Sequence, residues 1–144
     1  HFLRKDLLKV SLTGSSKVEV IEELLEMIDQ QGLVRDVDLV RAEILEREDE
    51  MPTGMDYGIA IPYTITEEVT DLICAIGISR KGVAFGVSNV PPSTIVALTL
   101  SPEDSPVPHL RFMAVLTRTL DAKGRKALLA CRTPDEMYSV LTGI

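Results

Sequence analysis

Residues 53–63 read TGMDYGIAIPY, and the rest of the chain is organised around this stretch. Two glycines, Gly54 and Gly58, allow the chain to turn, and the small and β-branched residues 58–61 predict a short strand. Pro62 has no N–H to donate to a neighbouring strand, so we expect the strand to end there or to lie at a sheet edge. The stretch ends on Tyr63, an aromatic hydroxyl that merits attention as a site residue.

Two helices are predicted before this stretch. The pattern Ser16-x-x-Glu19 is typical of a capped helix start, and Gly32 is a typical helix stop. Helical spacing predicts that the first helix buries Val18, Ile21, Leu25 and Ile28. Asp36 is the expected cap of a second helix, which ends before Pro52 and buries Val37, Val40 and Ile44.

Two strands are predicted after it. Residues 72–78 are almost continuously apolar, which is typical of a strand buried on both faces. Residues 80–82 (RKG) predict a turn, residues 94–100 a further strand, and residues 101–106 a loop stiffened by proline.

The C-terminal third predicts helices. His109 is expected to open one that buries Leu110, Met113, Leu116 and Leu120 and is interrupted at Gly124. Thr133, Pro134 and Glu136 announce a last helix. With helices at both ends and strands between them, we predict an α/β fold: a single-domain sandwich, residues 1–144, with a central mixed sheet flanked by helices.

Composition limits the function. The chain has 144 residues and a formal net charge of -7, which argues against a nucleic-acid partner and is compatible with a basic protein partner. Cys74 and Cys131 lack metal-ligand spacing, so we expect two buried thiols in a reducing compartment, with no metal and no cofactor. No apolar run reaches the ~18 residues of a membrane span, so we expect a cytoplasmic segment without direct membrane insertion. Because the sequence starts at His1 and not at Met, we expect a fragment of a longer chain, with a membrane transporter as one candidate for the remainder.

Three short motifs are explained better by structure than by chemistry. Gly54-x-x-x-Gly58 is one residue too short for a phosphate-binding loop and lacks its lysine, so a glycine-assisted turn is favoured. Residues 86–90 (GVSNV) lack the final glycine of a nucleophile elbow. The acidic residues 46–50 are interpreted as a solvated helix end, in preference to a metal site.

Two residues are candidates for chemistry. The positive end of a helix dipole disfavours protonation of a histidine, so His109 at a helix start would be neutral and able to exchange one hydrogen bond in a site. The alternative is a surface or capping histidine. Arg47, taken alone, is interpreted as a solvated residue or as a partner of Glu43.

Taken in order, these pieces resemble a known family. They are residues 45–48 (LERE), Thr53-Gly54, residues 58–62 (GIAIP), residues 82–85 (GVAF) and His109-Leu110. This pattern, over nearly the whole chain, resembles the enzyme IIA domain of the fructose/mannitol class of the bacterial sugar phosphotransferase system, which includes the nitrogen-regulatory IIA proteins.

The resemblance implies a site. In that family the residue after Ile-Pro is a histidine, which accepts a phosphoryl group from a histidine-phosphorylated carrier protein and passes it to a cysteine of a IIB domain. Here that residue is Tyr63, while His109 and Arg47 match the family's second histidine and its site arginine. Departures from the family pattern are Thr64 for Gly, and Asp56 and Tyr57 for Gly-Asn. Thr64, Thr53 and Gly58 are the expected ligand-binding residues.

Replacing an imidazole by a phenol changes the chemistry. A phenol of pKa ~10 keeps its proton at neutral pH and needs a base to attack phosphorus, and a phosphotyrosine ester is a poor phosphoryl donor. The first hypothesis is therefore a regulatory or sensory IIA-like domain that binds a partner, such as a transporter or another phosphotransferase component, with an anion or small metabolite as a further expected ligand. The second is an active phosphocarrier with His109 as acceptor, and the third is an oligomeric scaffold with a vestigial pocket.

Overall fold

The computed structural model describes residues 3–86, 89–104 and 106–143; the side chains of residues 106–109 also lie outside the described part. A 3₁₀ turn, Lys5–Leu7, leads into β1. The strands are β1 (Leu8–Lys9), β2 (Ile59–Ala60), β3 (Tyr63–Thr66), β4 (Ile73–Val83) and β5 (Ser93–Pro102). The helices are α1 (Lys17–Gln30), α2 (Val37–Glu50), α3 (Pro106–Thr119), α4 (Ala122–Leu129) and α5 (Pro134–Thr142).

The strands form one mixed sheet. Its order is β1-β4-β5-β2, and β3 also pairs with β5. β4 and β5 are antiparallel, β1 is parallel to β4, and both β2 and β3 are parallel to β5. β2 and β3 therefore follow one sheet edge and are separated only by Ile61 and Pro62, which confirms the predicted effect of Pro62.

Helices cover both faces of the sheet. Alternate residues of β4 serve two separate clusters: Ile73 and Ala75 pack with the core of α1 and α2, whereas Cys74 and Ile76 pack with that of α3, α4 and α5. This alternation is the period-2 pattern of a strand buried on both sides. The predicted fold class, an α/β sandwich with a central mixed sheet flanked by helices, is confirmed.

The first two helices begin where their caps predict. The Ser16 side chain accepts a hydrogen bond from the Glu19 N–H, and the Asp36 side chain accepts one from the Leu39 N–H. The prediction for Val18 was wrong, because this side chain is 44% exposed. The buried stripe of α1 consists of Val20, Ile21, Leu24, Leu25 and Ile28.

The turn predicted at residues 80–82 is part of β4. The strand continues to Val83 through an irregularity in its pairing between Ile78 and Val83, and Gly82 has a φ of +83° there. A glycine at positive φ lets a strand bend without ending. The same residue type is typical of turns, so the sequence pattern predicted a turn here. Arg80 anchors this part of β4 by donating hydrogen bonds to the carbonyl groups of Leu129 and Cys131. The loop predicted at residues 101–106 begins later than expected, because residues 101 and 102 belong to strand β5.

The C-terminal helices differ from the prediction in two places. α3 begins at Pro106 and not at His109, and Leu110 is 65% exposed, whereas Phe112 is buried with Leu116 and Leu120. The break lies before Gly124, because Asp121 caps α4 through the Gly124 N–H. The predicted cap of α5 is confirmed, since Thr133 accepts from the Glu136 N–H.

Both cysteines are buried free thiols, as predicted. Burial raises the pKa of Cys74 to about 12, although a hydrogen bond from Thr99 opposes the shift. Over the described ranges, no helix is both long and apolar enough to cross a bilayer.

Candidate functional site

A loop of residues 51–58, here called the site loop, connects α2 to the edge strand β2. Gly54 donates a backbone hydrogen bond to the Phe85 carbonyl at 3.3 Å, and Met55 donates one to the Ile59 carbonyl at 2.8 Å. A Cβ at Gly54 would lie only 2.8 Å from backbone atoms of Phe85 and Gly86, so this close approach requires glycine. The backbone of the loop is therefore fixed against the end of the sheet.

Gly58, a predicted ligand-binding residue, makes the turn into β2. It has a φ of +83°, which favours glycine, and its carbonyl accepts hydrogen bonds from the N–H groups of Thr94 and Ile95. The turn predicted from Gly54 and Gly58 is confirmed. A ligand-binding role for Gly58 stays a prediction.

Tyr63 and Arg47 form a close pair where β3 begins. Arg47 Nη1 donates a hydrogen bond to the Tyr63 hydroxyl oxygen at 3.2 Å. The guanidinium carbon of Arg47 also lies 4.7 Å from the centre of the Tyr63 ring, within the range of a cation–π interaction. The structure thus brings together two of the three residues that the sequence assigned to the site. Arg47 is not the partner of Glu43, which accepts a hydrogen bond from the Thr66 hydroxyl.

Glu48, next to Arg47, anchors the start of the site loop. Its two carboxylate oxygens accept hydrogen bonds from Thr53, one from the N–H at 2.9 Å and one from the hydroxyl at 2.7 Å. Burial raises the pKa of Glu48, while the two bonds from Thr53 and the charge of Lys17 oppose that shift. Both donors of Thr53, a predicted ligand-binding residue, are thus engaged by the protein itself.

The interpretation of residues 46–50 as a solvated helix end was wrong for Glu48. This side chain is only 1% exposed. The signal was present in the sequence, because Glu48 follows Val40 and Ile44 at intervals of four residues and so lies on the inward face of α2. The high local charge obscured this helical position.

A shallow pocket of about 240 Å³ lies beside the Arg47–Tyr63 pair. Its wall is formed by residues of α2 and β3, which are Glu43, Glu46, Arg47, Glu50, Thr64 and Ile65. Thr64, a predicted ligand-binding residue, is buried at this wall. Three carboxylates and one guanidinium give the pocket an acidic character, which favours a cationic group over an anion on this side of the site.

His109 is the fourth residue of α3. Its side chain lies outside the described part of the structure, so its role in the site stays a prediction. Val87 and Ser88, within the dismissed nucleophile-elbow motif, are also outside the described residues. Among the residues that are described, no group of three or more His, Cys, Asp and Glu is arranged to hold a metal ion.

Arg125, which no sequence pattern indicated as a site residue, contacts the site loop directly. The guanidinium carbon of Arg125 in α4 lies 4.8 Å from the centre of the Tyr57 ring. Arg125 also donates to the Leu120 carbonyl at 3.0 Å, and the Tyr57 hydroxyl lies 2.9 Å from the Met55 sulfur. The loop is thereby held from the α4 side as well as from α2.

Comparison with known proteins identifies the family. Residues 1–143 match the model of the family described as "Phosphoenolpyruvate-dependent sugar phosphotransferase system, EIIA 2". The chain belongs to this family. Nitrogen regulatory proteins are also among its relatives.

Two relatives show this EIIA domain in different settings. The chain is 29% identical over 98% of its length to the PTS system fructose-specific EIIABC component of Bacillus subtilis, but it spans only 22% of that protein. It is also 29% identical, over 96% of its length, to the PTS system fructose-specific EIIA component of Haloferax volcanii, of which it covers 91%. EIIA domains of this kind thus occur both within longer chains and nearly alone.

A solved structure supports the fold independently. The complex of enzyme IIAMTL with phosphorylated enzyme IIBMTL from Escherichia coli matches with a TM-score of 0.84 and 22% identity. The match covers 99% of this chain and 98% of the other. At this identity the likeness shows the fold alone.

Proposed function

We propose that this EIIA domain acts by binding a protein partner and does not carry a phosphoryl group at residue 63. The observation that carries the proposal is the Arg47–Tyr63 pair, in which a phenol occupies the position that the sequence resemblance assigns to the acceptor histidine. The guanidinium expected to hold a phosphoryl group donates to that phenol at 3.2 Å.

Chemistry disfavours Tyr63 as a phosphocarrier. Phosphoryl transfer depends on a positioned nucleophile and on charges that stabilise the transferring group. A phenol must lose its proton before it attacks, and in this pair it accepts a hydrogen bond from Arg47, a group that cannot act as a base. The carboxylates of Glu43, Glu46 and Glu50 also surround the neighbouring pocket and oppose an incoming phosphoryl group.

The relatives suggest the class of partner. The mannitol IIA domain was solved in complex with phosphorylated enzyme IIB, and the fructose relative from Bacillus subtilis joins EIIA, EIIB and EIIC in one chain. We infer that the partner of this chain is a component of this kind, or a membrane transporter to which the domain is attached on the cytoplasmic side. The domain would then sense or regulate transport by binding directly to this partner.

The test is phosphorylation with purified components. The chain is incubated with labelled phosphoenolpyruvate, enzyme I and the histidine-phosphorylated carrier protein, and acid-labile phosphate on the chain is measured. We expect no label, with an active IIA domain as the positive control. Labelled chain would overturn the proposal.

If label did appear, two variants would locate it. Loss of label in His109→Ala and its retention in Tyr63→Phe would establish His109 as the acceptor, which is the rival reading. A scaffold with a vestigial pocket is distinguished by binding, because the proposal expects purified IIB from a fructose or mannitol system to raise the melting temperature of the chain.

A further inference from the structure

The last turn of α2 holds both ends of the segment from residue 53 to residue 63. Glu48 binds Thr53, where the segment begins, and its neighbour Arg47 binds Tyr63, where the segment ends. Two consecutive residues of one helix therefore contact both ends of the stretch on which the site depends.

We propose that Glu48 is a positioning residue that sets the site loop relative to Tyr63, and that Thr53 serves as its anchor and not as a ligand-binding residue. This inference deepens the proposed function, because the loop borders the site through which a partner is expected to bind. Its test uses neither a partner nor a phosphoryl donor, so its failure and that of the proposed function are distinguishable.

The burial of Glu48 supports a positioning role. A buried carboxylate is costly unless its oxygens are satisfied, and both oxygens of Glu48 are satisfied by the same residue, Thr53. If Thr53 moved away to bind a ligand, Glu48 would lose both partners. The arrangement therefore favours one position of Thr53 strongly over the alternatives.

The contacts of the next residues show how this position is transmitted. Gly54 donates to the Phe85 carbonyl and forms a bridge with Ala60 of β2, so that the loop begins in register with the edge strand. β3 follows β2 along β5, beginning at Tyr63. The Glu48–Thr53 contacts therefore hold one end of the segment from residue 53 to residue 63, and the Arg47–Tyr63 pair holds the other end.

Four variants separate positioning from general stability. Glu48→Ala removes both acceptors. In Glu48→Gln the amide oxygen can accept from the Thr53 N–H and the amide nitrogen can donate to the Thr53 hydroxyl, so both contacts can be retained. Thr53→Val has nearly the same shape but loses the hydroxyl, and Thr53→Ser keeps it.

The readouts are amide hydrogen exchange and the ring resonances of Tyr63, measured by NMR on the whole chain. In Glu48→Ala we expect the Thr53 and Gly54 amides to exchange about tenfold faster or more, and the Tyr63 resonances to shift. Amides of the central strands, such as those of Ile76 and Ala97, should stay within about twofold of the parent chain. Glu48→Gln and Thr53→Ser should behave like the parent.

Two results would overturn the proposal. One is an unchanged exchange rate at Thr53 in Glu48→Ala, and the other is uniform acceleration across loop and sheet, which would indicate a purely structural role. If Glu48→Ala fails to fold, Thr53→Val decides: faster exchange limited to the loop supports the proposal, and exchange equal to that of Thr53→Ser rejects it.

Discussion

Two arginine–tyrosine pairs border the site loop, and they differ in what each arginine binds besides the ring. Arg47 lies over Tyr63 and donates its hydrogen bond to the hydroxyl of that same residue. Arg125 lies over Tyr57 but donates to the backbone carbonyl of Leu120, and the Tyr57 hydroxyl turns to Met55. The ring distances are nearly equal, at 4.7 and 4.8 Å.

The difference separates a site contact from a structural one. The Arg125 pair links the loop to the junction between α3 and α4, and its arginine is held by backbone that a ligand does not displace. The Arg47 pair depends on a side-chain hydroxyl, so a partner group that offers a better acceptor can take the place of the phenol. We therefore expect loss of the Arg125 side chain to change mainly stability and loss of the Arg47 side chain to change mainly function.

The largest effect is expected from placing a histidine at each of the two tyrosines in turn, because only the one at residue 63 should act as an acceptor. Tyr63→His should gain acid-labile phosphate from the labelled carrier protein, because imidazole has a free lone pair at neutral pH. Tyr57→His is the matched control and should remain unlabelled, like the parent chain. The measurement is the stoichiometry of label on each purified variant.

An unlabelled Tyr63→His would contradict this prediction. It would mean that Thr64, Asp56 or Tyr57, which the sequence resemblance marks as departures from the family pattern, have altered the site as well. Equal labelling of both histidine variants would remove the distinction between the two pairs altogether.

The next effect concerns stability. Arg125→Ala should lower the free energy of unfolding by about 1–2 kcal/mol, because it removes a ring contact and a partly buried hydrogen bond to a carbonyl group. Arg47→Ala should cost less than about 1 kcal/mol, because it leaves no backbone carbonyl without its donor. Urea unfolding of both variants measures the difference, and a larger loss in Arg47→Ala would reverse our assignment.

Removing the two hydroxyl groups should give a smaller difference. Tyr63→Phe loses the hydrogen bond from Arg47 but keeps the ring contact, so it should be destabilised by about 0.5–1 kcal/mol and by no more than Arg47→Ala. Tyr57→Phe loses only a weak contact with the Met55 sulfur, and the Tyr57 side chain is 43% exposed. We therefore expect its free energy of unfolding to change by less than about 0.5 kcal/mol. Thermal unfolding of the two variants beside the parent chain tests this order, and equal changes would count against it.

Local sequence patterns predicted much of the fold. Helix caps at Ser16, Asp36 and Thr133 depend on contacts within one turn, so they could be read from the sequence directly. The turn predicted at Gly82 was wrong, because a glycine with positive φ occurs both in turns and in irregular strands. Only the pairing of β4 with β5 shows that Gly82 lies within a strand.

The candidate site was predictable only in part. The resemblance pointed to Arg47 and Tyr63, but their hydrogen bond joins residues 16 positions apart and needs the packing of α2 on β3. The Tyr57–Arg125 contact spans an even longer separation and left no sequence pattern. The helical spacing of Glu48 from Val40 and Ile44 indicated burial, but the acidic residues around it favoured the interpretation as a solvated helix end.

The smallest effect is a pH dependence at the α2 end of the loop, where Glu48 is buried. Burial raises the pKa of Glu48 above its ordinary value of 4.5, against the opposing hydrogen bonds from Thr53 and the charge of Lys17. The folded chain therefore binds this proton more tightly than the unfolded chain does. The stability that this group contributes is complete below pH 4.5 and is lost as the pH rises through the raised pKa.

Glu48→Gln, which does not titrate, should remove this part of the dependence of the unfolding free energy on pH, measured by urea unfolding at a series of pH values. Glu46→Gln, at an exposed position, should leave this part unchanged. If Glu48→Gln instead lost more stability than the parent chain as the pH rises, the carboxylate would be favoured in the fold and the sign of the argument would be reversed.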